Sequence, residues 1–211
     1  MKRVIVADDH PVVREGIKNV LEKAVDFGVT AEASDGHELM AALRKQIPDI
    51  VILDINMPGK KGLQLLKEIK QQYSQLPILV LSIHPPERMA LRSFKAGAWG
   101  YINKSKVGDE LLKALRKIVF QQRRYINPEV AQQLAMGMDK ENEQNLHERL
   151  SDREFQIMCL IAEGKSIKEI AKELSLSPQT IYTYRDRIKE KMDIYSNVAI
   201  TRYAIEHNLI E

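Results

Sequence analysis

Cysteine is nearly absent. The single Cys159 in 211 residues excludes an internal disulfide framework and a cysteine-rich zinc site, and its place in an apolar helical pattern reads as packing. No apolar run approaches the ~18 residues of a membrane span. The opening MKRVIVADDH lacks the apolar core of a secretory signal, so a cytoplasmic chain with no membrane partner is expected. Neither a G-x-G-x-x-G nor a P-loop pattern occurs, which leaves a dinucleotide or nucleoside triphosphate site without support. A strong charge of one sign is missing too. The net charge is +3, with 19 basic and 14 acidic residues in positions 1–120 and 9 against 10 in positions 150–211. The basic excess is therefore not a C-terminal tail, and by itself it predicts no nucleic-acid partner. Internal repeats are lacking as well.

What remains is 44% hydrophobic and 29% charged, a globular composition rather than a disordered one. At about 150 residues per domain, one or two domains fit the length. The first 120 residues alternate short apolar runs with amphipathic stretches. The runs are Val4–Ala7, Thr30–Ser34, Ile50–Leu53, Ile78–Leu81 and the weaker Gly100–Ile102. Three are nearly continuous Val/Ile/Leu, as strands buried on both faces read. Helical patterns fall between them at about Val12–Ala24, His37–Ile47, Leu63–Tyr73, Glu87–Ala96 and Asp109–Gln121. That alternation predicts an α/β fold with a parallel sheet and helices on both faces.

After about residue 122 the pattern decays, and DKENEQNLHER (Asp139–Arg149) is a solvated linker by composition. The grammar then changes to short helices with explicit starts. Ser151-Asp-Arg-Glu154 and Ser166-Ile-Lys-Glu169 both fit the capping box, and Ser177-Pro178 is an N-cap with proline at the first helical position. The expected domains are 1–121, a linker with a helical start at 122–146, and an all-helical domain at 147–211.

Ligands of an open parallel sheet bind beyond the carboxyl ends of its strands. The first strand ends in Asp8-Asp9, the third in Asp54 and the fourth in Ser82, and Lys104 closely follows the fifth. Three carboxylates packed together raise one another's pKa values unless a cation neutralises them. Oxygen-only ligation with positions left open for phosphate suits magnesium. A carboxylate beside that ion can attack a phosphoryl group and form an acyl phosphate, with the lysine and hydroxyl stabilising its oxygens. Each of these residues alone fits an ordinary loop or cap; their convergence is what points to a site.

The same residues carry a resemblance. ADDH at the first strand's end, LDINMPGKKG around Asp54, LSIH at Ser82 and AGAWGYINK around Lys104 resemble, in order and spacing, the receiver domain of bacterial response regulators over about residues 2–120. The resemblance implies a flavodoxin-like, doubly wound sheet of strand order 2-1-3-4-5. It makes Asp54 the phosphoacceptor for a sensor histidine kinase or a phosphotransfer protein. It places Mg²⁺ (or Mn²⁺) on Asp9, Asp54 and the backbone carbonyl of Asn56, with Asp8 supporting through water. Ser82 and Tyr101 become the switch pair and Lys104 the phosphate-binding lysine. A new dianion at Asp54 would draw the Ser82 hydroxyl and vacate space for the Tyr101 ring; Tyr101 otherwise reads as core. Asn56 and His84 flank the path of an attacking water.

Residues 166–192 contain two helical patterns joined by Leu174–Ser177. Ile167, Ile170, Ala171 and Leu174 face inward on the first, and Ile181, Tyr184, Ile188 and Met192 on the second. This is a helix-turn-helix, whose second helix can enter a major groove about 12 Å wide. Gln179, Tyr182, Thr183, Asp186, Arg187 and Glu190 face outward, with Arg185 and Lys189 at the flanks; a solvated face on an ordinary helical domain fits the same pattern. LSDREFQIMCLIAEGKSIKEIAKELSLSPQTIYTYRDRIKEKM is similar to the LuxR-type helix-turn-helix of the NarL/FixJ response regulators, over about residues 147–211. That resemblance implies base reading at Tyr182, Thr183 and Asp186. Nearby serines, threonines and basic residues (Lys165, Ser177, Gln179, Thr180, Arg185, Arg187, Lys189) would contact DNA around them. Asp186 departs from the family, which often has a non-acidic residue there, so no operator carries over. The last helix, about Asn197–His207, would be the dimer contact on DNA; its Val198, Ala199, Tyr203 and Ile205 equally fit core.

The reading is a phosphorylation-controlled transcription factor, not a turnover enzyme, with promoter DNA and a second copy as partners. A magnesium-dependent phosphohydrolase using Asp54 is one rival, and Asp54-Ile55-Asn56 lacks the second acid that dehalogenase-like phosphatases place two after their nucleophile. A constitutive DNA binder with the first domain as an oligomerisation module is the other.

Overall fold

The computed structural model describes residues 1–57, 62–83, 86–132, 146–207 and 209–210. Residues 58–61 of the motif around Asp54, His84 and residues 133–145 of the expected linker lie outside them. The chain divides into two compact units, Met1–Ala135 and Met136–Glu211.

In the first unit β1 (Lys2–Ala7), β2 (Phe27–Ala33), β3 (Ile50–Asp54), β4 (Ile78–Ser82) and β5 (Gly100–Asn103) form one parallel sheet of order β2-β1-β3-β4-β5. The strands alternate with α1 (Pro11–Glu22), α2 (Gly36–Lys45), α3 (Gly62–Gln72), α4 (Pro86–Lys95) and α5 (Val107–Val119). Right-handed crossovers in that strand order put α1 and α5 on one face and α2–α4 on the other. Ile17, Leu21, Leu111, Leu115 and Ile118 of α1 and α5 pack with Val4, Val6, Ile50, Ile52 and Ile102 of the sheet, none more than 1% exposed. Each such side chain contributes roughly 1.5–3 kcal/mol by leaving water.

β3 and β4 are buried at every residue, as their unbroken Val/Ile/Leu runs require. β2 lies at an edge and begins three residues earlier than the Thr30–Ser34 expectation. Its exposed Thr30 and Glu32 break the apolar run, and its register against β1 shifts between Val4 and Ile5. β5 extends one residue past Ile102. Residues 122–132 belong to this unit: Tyr125 pairs with Gly100 at the edge of β5, and residues 128–132 begin a helix, α6.

The second unit is helical in its described residues. A short 3₁₀ turn at Leu146–Arg149 precedes α7 (Asp152–Ala162), α8 (Ile167–Glu173), α9 (Pro178–Met192) and α10 (Asn197–Glu206). Both capping boxes form, the Ser151 and Ser166 hydroxyls accepting from the Glu154 and Glu169 N–H groups while the glutamates reach back. Ser177 caps α9, with Pro178 at its first position. α7 is the centre, with Phe155, Ile157, Met158, Cys159 and Leu160 all buried. Its buried Glu154 is held by Ser151 and by the Lys191 ammonium of α9 at 2.7 Å. Burial alone would raise the Glu154 pKa, and those partners together hold it below the usual value.

Ile188→Ala, which empties a fully buried position of α9, is expected to lower the unfolding free energy by about 2–5 kcal/mol. Val198→Ala, at an 81% exposed position of α10, should change it by less than about 0.5 kcal/mol. Urea unfolding followed by far-UV circular dichroism measures both, and equal effects would contradict the docking of α9 on α7.

Candidate functional site

The carboxyl ends of four strands meet over the middle of the sheet. Asp54 and Ser82 are the last residues of β3 and β4 rather than the first of their loops, and both are fully buried with Asp8. Asp8 is fixed by its own turn: its Oδ1 accepts the His10 N–H at 2.9 Å, and its carbonyl accepts from the Arg14 guanidinium at 2.7 Å. At the end of β5 the Asn103 side chain accepts from the Ser105 N–H (2.9 Å) and donates to the Ile83 carbonyl (3.3 Å). That cap closes the 3₁₀ turn Lys104–Lys106 and aims Lys104 across the sheet.

The Lys104 ammonium lies 2.7 Å from Asp54 Oδ2 and 2.7 Å from Asp8 Oδ2. The contact to Asp54 is a hydrogen bond, and that to Asp8 is an ion pair at the same distance. Asp54 Oδ1 accepts the Asn56 N–H at 2.8 Å, and the Asn56 amide donates to Ser82 Oγ at 3.4 Å. Burial pushes the Asp54 carboxyl up, and Lys104 offsets only part of that, so its pKa stays above the ordinary value. Burial pulls Lys104 down, but the two carboxylates outweigh it and hold the ammonium above its usual range. α3 closes over the loop after Asp54 at Gly62, where a Cβ would sit on the Ile55 carbonyl.

Two of the three carboxylates, Asp8 and Asp54, share the one ammonium, and Asp9 faces His10. Asp8 Oδ2 and Asp9 Oδ1 are buried without a hydrogen bond of good geometry. Ligand atoms of Asp8, Asp9, His10 and Asp54 lie within 4.8 Å of one another. This acidic cluster could bind a metal ion: clustered carboxylate oxygens with excess negative charge are what a hard cation satisfies. Reading strand ends missed His10, whose Nδ1 lies 2.8 Å from Asp9 Oδ1; the adjacent Asp-Asp-His was its signal. It also missed the Asn103 cap, which resembles any strand-end asparagine.

Tyr101 pairs with Val80 across β4 and β5. Ser82, two residues on, therefore shares its face of the sheet. Tyr101 is fully buried.

In the second unit α9 carries Gln179, Tyr182, Thr183, Asp186, Arg187 and Glu190 on its exposed side, and Ile181, Ile188 and Met192 are fully buried. Tyr184, expected inward, is half-buried. Thr180 shares a 2.8 Å hydrogen bond with Ser177, and Thr183 Oγ1 donates to the Gln179 carbonyl. The Arg185 guanidinium stacks 5.0 Å over the Tyr182 ring, with Asp186 3.8 Å away. Lys165 is held by Glu173 at 2.7 Å and Glu163 at 3.5 Å; Lys189 is half-buried. On α10, Ile200, Tyr203 and Ala204 are buried while Val198 and Ile205 are 81% and 54% exposed.

Comparison with known proteins gives two family matches: residues 4–116 to the response regulator receiver domain, and residues 148–204 to the bacterial regulatory proteins of the luxR family. The chain is 35% identical to the response regulator UvrY of Escherichia coli K12, covering 99% of this chain and 96% of that one. It is 34% identical to the response regulator GacA of Pseudomonas aeruginosa PAO1, over 100% and 99% of the two chains. Among solved structures, RcsB from Salmonella enterica serovar Typhimurium, bound to promoter rprA in the presence of phosphomimetic BeF₃⁻, matches with a TM-score of 0.65 and 29% identity, covering 96% of this chain and 98% of that one.

The raised Asp54 pKa has a sign. Between the unfolded and folded pKa values the folded state holds a proton that the unfolded state has released, so stability falls as pH rises through that window. Above the folded pKa the penalty is present in full. In chelator-treated protein, Asp54→Asn is therefore expected to raise Tm at pH 7 and to flatten its decline from pH 4 to pH 7. Thermal melts across that range check it; a lower Tm for the variant at pH 7 would contradict the electrostatics described.

Proposed function

The chain belongs to the bacterial two-component response regulators that join a receiver domain to a LuxR-type DNA-binding domain, and from that premise we propose that Asp54 is its phosphoacceptor. It is a transcription regulator, and the family is not one of turnover enzymes. No described helix is long and apolar enough to cross a membrane; a cytoplasmic regulator on double-stranded promoter DNA is the reading that fits. The proposed domains are 1–121 and 147–211, with a linker between them whose first residues, 122–132, dock on the first unit.

One observation carries the assignment of Asp54: a single ammonium 2.7 Å from two fully buried carboxylates, Asp54 and Asp8, delivered by separate strands. In the transfer, an Asp54 carboxylate oxygen attacks phosphorus, the bond from phosphorus to the donor nitrogen of a histidine kinase or phosphotransfer protein breaks, and an acyl phosphate forms. Lys104 and the Ser82 hydroxyl then hold the new phosphoryl oxygens. Asp9, Asp54 and the Asn56 carbonyl would hold Mg²⁺ or Mn²⁺, with Asp8 supporting through water; the ion supplies neutralisation of the negative charge that gathers there. Drawing Ser82 from Asn56 toward the phosphoryl group alters the sheet face that Tyr101 shares. Moving such an equilibrium from 1:99 to 99:1 takes roughly 5.5 kcal/mol of differential stabilisation.

For output, α9 enters the major groove. Tyr182, Thr183 and Asp186 read base edges while Lys165, Ser177, Gln179, Thr180, Arg185, Arg187 and Lys189 position the helix. The exposed Val198 and Ile205 of α10 support a homodimer on paired half-sites.

Acetyl phosphate with Mg²⁺ is expected to add one phosphoryl group by intact mass, absent in Asp54→Ala, with a shift toward dimer by size exclusion. Adduct-free protein beside a labelled control receiver, and no beryllofluoride binding, would move the reading to constitutive DNA binding. On DNA, Arg187→Ala should make the slope of log affinity against log salt less negative by about 0.9, the value for one phosphate contact. Anisotropy titrations between 50 and 200 mM salt measure it, and an unchanged slope would remove Arg187 from the interface.

A further inference from the structure

The last described stretch of the first unit takes no part in the chemistry above. α5 ends in a turn at Gln122, whose φ of 53° puts a non-glycine residue in the left-handed region. The chain doubles back there. The Arg123 N–H reaches the Lys117 carbonyl at 3.3 Å, and the Gln122 amide donates to the Val119 carbonyl at 2.9 Å.

It then lies along the open edge of β5. The Tyr125 N–H donates to the Trp99 carbonyl at 2.7 Å, and Tyr125 pairs with Gly100 as an isolated parallel bridge. Gly100 permits that approach: a Cβ there would meet the Tyr125 Cβ at 3.2 Å and the Leu79 side chain at 2.7 Å. On α5 the Glu110 carboxylate accepts from the Tyr125 hydroxyl at 3.1 Å and from the Asn127 amide at 3.1 Å. Burial and that carboxylate push the Tyr125 phenol up to about 12, so it remains a donor at neutral pH. Asn127, itself buried, accepts the Val130 N–H at 2.8 Å and so starts α6, whose Val130 is fully buried. An ion pair between Lys106 and Glu129 ties α6 to the turn that carries Lys104.

A tether needs none of these contacts. The strand they seize is the one that carries Tyr101, the residue after Gly100, and the structure shows the Tyr101 ring inward and the segment docked together.

We propose that residues 122–132 form a strap latched to β5 by Tyr125, Asn127 and Glu110, and that inward Tyr101 and the docked strap are one state, so that the switch reaches the chain leading to the second unit. The proposal rests on the Ser82–Tyr101 switch put forward above. The latch suits the task because its only backbone pairing with the sheet is one bridge. A small displacement of β5 breaks that bridge without unfolding a helix, and the left-handed turn at Gln122 then relaxes.

Trypsin reads the latch in the full-length protein. Arg123 and Arg124 are exposed, but cleavage after them requires their backbone to detach; fragments 1–123 and 1–124 are identified by mass. Beryllofluoride with Mg²⁺ is expected to slow this cleavage at least threefold. Tyr125→Ala should speed it about tenfold, and Tyr125→Phe, which keeps the ring and loses only the hydroxyl, by less. Because coupling is reciprocal, Tyr125→Ala should also weaken beryllofluoride binding by the factor that beryllofluoride protects the strap. Binding of beryllofluoride, seen as a Mg²⁺-dependent thermal shift, with no change in cleavage would overturn the coupling and leave the phosphoacceptor reading intact. Absence of that shift would sink both. Wild-type cleavage rates in the two Tyr125 variants would overturn the latch itself.

Discussion

Everything at the carboxyl edge of the sheet depends on one ammonium between two buried carboxylates. Asp8 and Asp54 are fully buried and their Oδ2 atoms both lie 2.7 Å from Lys104 Nζ. Removing Lys104 would leave two buried carboxylates uncompensated, at a cost of about 3–5 kcal/mol, whereas removing one carboxylate leaves the ammonium paired with the other. Lys104 therefore pins the ends of β1, β3 and β5 together, and the Asn103 cap that aims it is part of the site. Yet the ammonium balances one of three carboxylates. The rest of the negative charge is unmatched, and Asp54 keeps a raised pKa in spite of its partner. The fold holds together a pocket that is short of positive charge, the setting in which an acidic cluster could bind a cation and which the proposed role of Asp54 requires.

The central strands were legible because burial on both faces leaves only Val, Ile and Leu to choose from, as in IVILD and ILVLS. Edge strands carry a weaker signal. β2 exposes Thr30 and Glu32, which breaks its apolar run, and its unread first half, Phe27–Val29, holds Gly28, a residue depleted in strands. The site was legible as a set of strand-end residues, since topology brings those ends to one rim; the roles of Tyr101 and Asn56 came from family likeness, because a tyrosine or an asparagine at such a place is ordinary by itself. QQRRYINPEV reads as a polar connector. What docks it is one backbone bridge, the Tyr125 hydroxyl and the buried Asn127 on Glu110, one ion pair and one valine, and neither periodicity nor composition registers contacts of that kind. In α9 the period of 3.6 marked the buried and exposed faces, with Tyr184, expected inward, half-buried like Thr180, Arg185 and Lys189.

Charge counting on α9 overstates what it offers to DNA. The helix holds four basic and two acidic residues, but Arg185 is already stacked on Tyr182 and faces Asp186, and Lys191 is paired with Glu154; outside the helix, Lys165 is held by two glutamates. Lys165 has a raised pKa because Glu173 and Glu163 outweigh the effect of burial, and moving it to a phosphate means giving up those partners. On α9 that leaves Arg187 and Lys189 without an ion pair among the described residues, and each phosphate contact contributes a fixed share of the salt-dependent affinity. If α9 is the proposed groove helix, its own electrostatic share of DNA binding is therefore small. Two copies bound to paired half-sites convert the second binding event into an intramolecular one, which multiplies affinity without any new contact. With α9 as the proposed recognition helix, such a regulator gains most from control over pairing, and a switch that biased dimer formation would act where the free energy of DNA binding is most responsive.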